Sequence, residues 1–203
     1  MTKYFLNHAK TLYKNGYSVI PIAPREKYPE LSLKKHIAQN YPNLNPGLDG
    51  WQRLRNYDQQ VLSDLINRFP ESGIGVATFN TPAIDIDIKD AKIVYLAAKA
   101  LKPILSDGII LIRIGLAPKI LIPCQLEGKT FQKLTGHVFS SKTDDHQLEI
   151  HCNGQQFVGF GTHKDTGKGY RWLNGKSLLE VKRTELLMLD YGMATEIQER
   201  VRV

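Results

Sequence analysis

The stretch Ile84-Asp85-Ile86-Asp87-Ile88 constrains this chain more than any other five residues in it. Strict alternation of apolar and acidic side chains fits a β-strand with one face in a core. In that conformation the isoleucines point inward, and both carboxylates emerge on one face roughly 7 Å apart, where they repel each other. Aspartate is a poor strand residue, and lysine or threonine would serve a merely solvated face better. A divalent cation removes the repulsion and uses the hard oxygens. The motif therefore predicts a metal site on a strand.

Leu148-Glu149-Ile150 repeats the pattern. Gln147, Glu149 and His151 share one face of a strand, and Leu148, Ile150 and Cys152 share the other. A third carboxylate on a neighbouring strand would complete a two-metal site. Such a site activates an attacking hydroxyl and stabilises a leaving pyrophosphate.

Two further segments carry charge suited to phosphate. Arg113 and Lys119 bracket the turn Gly115-Leu116-Ala117-Pro118, which can bring both cations to one end of a hairpin. Arginine forks onto phosphate oxygens and lysine supplies a point charge. The same pair would equally suit an edge strand that resists aggregation. The loop Gly161-Thr162-His163-Lys164-Asp165-Thr166-Gly167-Lys168-Gly169-Tyr170 offers glycine amides, with His163 or Lys168 adding charge. It does not match the Walker phosphate-binding pattern.

The bulk numbers agree with a phosphate-bearing partner. The 203 residues carry a net charge of +7, and a basic surface attracts nucleic acid or nucleotides at long range. Hydrophobic residues at 42% and charged residues at 23% are ordinary for one globular domain, or one domain of two lobes. No apolar run approaches membrane-spanning length, and Met1 to Tyr13 lacks the apolar stretch of a signal peptide. The expected setting is cytoplasmic, without membrane association. Cys124 and Cys152 lie in strand-like apolar runs and read as small buried residues, with no zinc-ligand spacing.

Periodicity gives the remaining elements. Residues 3–15 read as an amphipathic helix, residues 17–22 as a short strand and residues 24–50 as mostly loop. A helix follows Asp58, with Val61, Leu62, Leu65, Ile66 and Phe69 on its apolar face. Strands are expected at 73–78 and 83–88, a helix at 90–102, and strands at 109–114 and 119–123. Residues 147–152 and 156–160 flank Asn153-Gly154, a strong hairpin signal. Residues 177–190 form a leucine-rich helical segment. Helices and strands mix without regular alternation, so the expected class is α+β or mixed α/β.

In order and spacing, four stretches resemble the bifunctional DNA primase/polymerase family, the prim-pol branch of the archaeo-eukaryotic primases. The first runs from Leu12 through Gly16-Tyr17-Ser18-Val19-Ile20-Pro21-Ile22 to Lys27, Pro29 and Trp51. The second is Gly73-Ile74-Gly75-Val76 leading to Asp85-Ile86-Asp87. The third is Arg113-Ile114-Gly115 before Ala117-Pro118-Lys119. The fourth runs from Leu148-Glu149-Ile150 through Gly154-Gln155-Gln156-Phe157-Val158 to Gly161-Thr162-His163, Thr166-Gly167 and Tyr170-Arg171-Trp172. The set is most similar to the primase domains of phage and plasmid replication proteins.

The resemblance implies a twisted sheet like an RNA-recognition motif, joined to a second α/β lobe. It implies that Asp85, Asp87 and Glu149 hold catalytic Mg²⁺ or Mn²⁺, and that Arg113, Lys119 and His163 line the incoming triphosphate. Implied partners are a DNA template and primer, nucleoside triphosphates and a replicative helicase in cis or in trans. Two departures stand out. Where many primases carry Ser-x-His, this chain reads Ala117-Pro118-Lys119. It also lacks ligands for the zinc-bound stem of some relatives.

The sequence thus predicts template-directed nucleotidyl transfer by a catalytic domain over residues 1–190. Residues 191–203 are expected to form a tail or the start of a linker. Two alternatives stay open: a metal-dependent nuclease, and a non-catalytic single-strand or origin DNA-binding module on a primase fold.

Overall fold

The computed structural model of the protein describes residues 2–105, 107–137 and 146–201, with His137 and His146 as backbone only. In chain order the helices are α1 (Tyr4–Lys14), α2 (Leu33–Asn40), α3 (Gln59–Arg68), α4 (Ala91–Leu101) and α5 (Tyr191–Val201). The strands are β1 (Val19–Ile22), β2 (Gly73–Ala77), β3 (Ala83–Ile88), β4 (Arg113–Ile114), β5 (Ile120–Pro123), β6 (Gln125–Leu126), β7 (Leu134–His137), β8 (His146–His151), β9 (Gln156–Phe160), β10 (Arg171–Trp172) and β11 (Met188–Leu189). This is a mixed α/β fold with three sheets among the described residues. It forms two compact units, Met1–Ala77 with Gln156–Tyr170, and Thr78–Gln155 with Arg171–Val203.

The first unit is built on the antiparallel sheet β1-β2-β9, with β2 in the middle. Phe5, Ala9 and Leu12 on α1 and Val61, Leu62 and Leu65 on α3 are buried, as their i, i+3, i+4 spacing dictates. Asp58 caps α3 by accepting from the Val61 amide at 2.9 Å. At Gly75 on β2 a Cβ would sit 2.7 Å from Ile22 Cδ1, so a larger residue would push the Ile22 side chain aside.

Residues 24–50 are mostly loop, as expected, but they hold one helix, α2, that the sequence reading did not pick out. Its apolar signal is only Leu33 and Ile37, one turn apart among Pro, Gly and Asn, too short for periodicity to reveal. Long-range contacts hold the helix: His36 pairs with Asp64 at 2.5 Å and meets Phe69 edge-on.

The second unit is built on a six-stranded antiparallel sheet, β10-β4-β5-β3-β8-β7. Ile84, Ile86 and Ile88 on β3, with Leu148 and Ile150 on β8, enter one core together with Val94, Ala97 and Leu101 of α4 and Ala194, Ile197 and Val201 of α5. One sheet face is thereby dry, and alternation turns the acidic residues onto the other. Asp90 starts α4, accepting from Lys92 and Ile93 amides at 2.7 and 3.3 Å.

Two expectations fail here. Asn153-Gly154 does make a turn, with the Gln155 amide on Cys152 O at 3.3 Å and Gly154 at φ +75°, but it closes no hairpin. Strand β8 pairs with β3 and β7, and β9 pairs with β2. Local turn chemistry fixes the bend, while the apolar register Ile84↔Ile150 and Ile86↔Leu148 decides the partner.

The leucine-rich segment 177–190 is not an α-helix. It holds a 3-10 turn at Arg183–Glu185 and β11, parallel to β6. Leu178, Leu186, Leu187 and Leu189 are all fully buried, and extended chain can bury consecutive leucines on both sides where a helix face cannot. The 191–203 segment, expected as tail or linker, contains α5; its last two residues lie outside the described ones. The strands expected at 109–114 and 119–123 shorten to β4 and β5.

Cys124 and Cys152 are buried thiols, as read from the sequence. No described helix is long and apolar enough to cross a membrane.

Candidate active site

The register of the six-stranded sheet places the acidic residues. Asp85 on β3 stands directly opposite Glu149 on β8. On its other side it faces Leu121 on β5, which in turn faces Arg113 on β4. Directly opposed residues share a face, so Arg113, Asp85 and Glu149 form one row across three of the four strands β4, β5, β3 and β8. Asp87, two residues along β3, lies opposite Gln147. The Lys119 ammonium is ion-paired with the Asp87 carboxylate.

Glu149 is held from two sides. Lys133, just before β7, reaches its Oε1 at 2.6 Å. His151 Nε2 lies 3.0 Å from its Oε2 and 4.0 Å from Asp85 Oδ2. His151 Nδ1 is buried with no hydrogen-bond partner among the described residues. Asp85, Glu149 and His151 each offer one donor atom, and these atoms lie within 4.8 Å of one another.

The electrostatics pull the two opposed carboxyls apart. Burial raises the Asp85 pKa above its ordinary 3.8; Arg113 and His151 oppose the rise, and Asp87 and Glu149 add to it. Glu149 goes the other way, down to about 2, through the hydrogen bond with His151 first and the Lys133 pairing second. Two opposed carboxyls whose pKa values are pushed in opposite directions mark a functional-site candidate.

Two carboxylate oxygens and an imidazole nitrogen converging within 4.8 Å fit a divalent cation. Asp85 and Glu149 would supply charge, and His151 a neutral donor. Asp87 is outside this cluster, its side chain 47% exposed and occupied by Lys119.

Of the residues singled out from the sequence, Asp85, Asp87, Glu149, Arg113 and Lys119 belong to the second unit. Arg113 acts on Asp85, and Lys119 on Asp87. His163 belongs to the first unit. It is 3% exposed and organises its own loop: its amide donates to Lys168 O at 2.7 Å, its carbonyl accepts from Gly167, and Nδ1 accepts from the Asp165 amide at 3.2 Å. Its ring also meets Tyr170 edge-on.

Sequence reasoning passed over His151 and Lys133. His151 had a signal, because it shares the strand face of Glu149 two residues away. Lys133 had none, because its place depends on β7 pairing with β8 in a register that brings Thr135 opposite Glu149.

Comparison with known proteins agrees with this geometry. Residues 9–186 match the family described as bifunctional DNA primase/polymerase, N-terminal. No curated protein matches the chain.

Proposed function

The chain belongs to the bifunctional DNA primase/polymerase family, and from that premise we propose that the carboxylate face of β3 and β8 performs template-directed nucleotidyl transfer on DNA. The observation that carries this reading is the direct opposition of Asp85 and Glu149 with His151 between them. Asp85, Asp87 and Glu149 are the residues assigned to hold Mg²⁺ or Mn²⁺ in a two-metal arrangement. Bound there, the cations would polarise a phosphoryl oxygen and offset charge developing on the triphosphate.

The protein's own groups do the positioning. Arg113 and Lys119 flank the acidic row on the same sheet and are assigned to the triphosphate. His163 is assigned to the same role on the family resemblance. Its buried, hydrogen-bonded ring also makes it the organiser of the glycine-rich loop. The catalytic domain is proposed over residues 1–190, with Ala194, Ile197 and Val201 of α5 packed into the core behind the carboxylate face. The work falls within phage or plasmid DNA replication, beside a replicative helicase in cis or in trans.

The test is incorporation of a labelled deoxynucleotide on a primed template with Mg²⁺ or Mn²⁺. Incorporation that vanishes in Asp85→Asn and Glu149→Gln is the expected result. Metal-dependent cleavage of the template without incorporation would assign a nuclease instead. DNA binding with neither chemistry would assign a non-catalytic binding module.

A further inference from the structure

We propose that Lys133 is a stand-in for the metal: it neutralises Glu149 in the metal-free protein, is displaced when a divalent cation arrives, and then binds a phosphate group carried into the site. The inference rests on reading the Asp85–Glu149–His151 cluster as a cation site.

Lys133 precedes β7 at the sheet edge, and its ammonium lies 2.6 Å from Glu149 Oε1. Its side chain is one-third exposed, so a flexible four-carbon stem carries the charge from solvent into the site. The arrangement has a counterpart on β3, where Lys119 occupies Asp87. Leaving His151 aside, three carboxylates (Asp85, Asp87, Glu149) meet three cations (Arg113, Lys119, Lys133). The face is therefore near neutral without metal.

A divalent cation on Asp85 and Glu149 changes that balance. Lysine and cation then compete for one carboxylate's charge and repel each other, and the singly charged, solvent-reaching partner is the one free to leave. The face becomes doubly positive, with Lys133 released from Glu149. A released ammonium group beside a metal suits phosphate oxygens, which the nucleotide triphosphate or the DNA backbone would bring. A lysine that merely braces Glu149 would behave in the opposite way, since its removal would loosen a ligand.

The experiment measures Mn²⁺ binding to the whole chain by titration calorimetry and electron paramagnetic resonance, without nucleotide, in wild type, Lys133→Ala, Lys133→Gln and Asp85→Asn. Binding in both Lys133 variants should be several-fold tighter than in wild type, and binding in Asp85→Asn should be lost. At saturating Mn²⁺ the Lys133 variants should bind a phosphate ligand roughly tenfold more weakly, the usual worth of one charge-assisted contact. Separate arms with a deoxynucleoside triphosphate and with primed DNA identify which phosphate Lys133 meets. Wild type that binds Mn²⁺ while the Lys133 variants bind it equally or less would overturn the stand-in role alone. Tighter Mn²⁺ binding with neither phosphate ligand weakened would overturn the second half of the proposal. Absence of Mn²⁺ binding in wild type and in both Lys133 variants would overturn the cation site and this inference together.

Discussion

At the scale of single residues, the informative contrast is between the two opposed carboxyls. Asp85 has a raised pKa and Glu149 a lowered one. Between 3.8 and its raised folded value, Asp85 binds more proton in the folded state than in the unfolded state, so its contribution to stability falls as pH rises through that window. Asp85→Asn removes the titration. In metal-free buffer its melting temperature should therefore gain on wild type as pH rises. Mn²⁺ should raise the melting temperature of wild type and leave Asp85→Asn unmoved. A gap that is flat with pH, or that shrinks, would show that burial does not penalise this carboxylate. Glu149 has the opposite sign: its contribution is present above about 4.5 and is lost as pH falls toward about 2. Glu149→Gln should accordingly lose ground to wild type at neutral pH and recover it on acidification in the same melting series. For the cations, Arg113→Ala and Lys119→Ala should each raise the Michaelis constant for nucleotide roughly ten- to a hundred-fold, the worth of a charge-assisted contact of about 1.5–3 kcal/mol. Steady-state kinetics on a primed template measures this, and an unchanged constant in both would return them to surface charge. The two aspartates and Glu149 were legible because acids are anomalous on an apolar strand. Lys133 was not, because an exposed lysine in a polar stretch is anomalous nowhere.

At the scale of elements, what could be read locally was read, and what depended on a distant partner was not. Helices α1, α3 and α4 carry long apolar stripes and start or stop signals, and β3 alternates without a break. By contrast α2 is anchored by Asp64 and Phe69 on other elements, and the leucines before α5 sit in extended chain because β6 pairs with it. The turn at Asn153-Gly154 is the sharpest lesson. Its conformation was legible, but its consequence was not, since β8 and β9 found different sheets. Helix α5 gives a direct test of how far the acidic face depends on what lies behind it. Ile197 is fully buried in the core that the β3 isoleucines enter. Ile197→Ala should cost about 2–5 kcal/mol of stability through lost burial and a cavity, read by denaturant unfolding. A loss below about 1 kcal/mol, as for a surface substitution, would show that α5 contributes little to the fold.

At the scale of the whole molecule, the excess of seven positive charges and the local acidic row have to be reconciled. A basic chain draws phosphate to itself from any direction, whereas the face of β3 and β8, where Arg113, Lys119 and Lys133 balance the carboxylates, offers phosphate no net attraction until a metal adds positive charge. Attraction and chemistry should therefore separate in solution: DNA should bind without divalent metal, and incorporation should require it. Binding of this kind is carried by contacts to the DNA backbone, so its logarithm should fall linearly with the logarithm of salt concentration. The same division bears on which substrate the chain handles best. Extending a primer needs one nucleotide placed against a duplex end that base pairing has already ordered. Starting a strand needs two nucleotides and a template brought together with no such order, at a further cost in translational and conformational entropy. The cations proposed for the triphosphate, Arg113 and Lys119, would provide for one nucleotide, and a second would need contacts beyond them. Synthesis should thus be measurable on a primed template and weak on a bare single strand, compared at low salt with Mn²⁺ and with Mg²⁺. The salt series should depress both reactions, the unprimed one more steeply, because there the backbone contacts hold a strand that no duplex end orders. Equal rates on primed and unprimed templates would show that this chain orders both nucleotides by itself, and would move the search for the second binding surface onto its own residues.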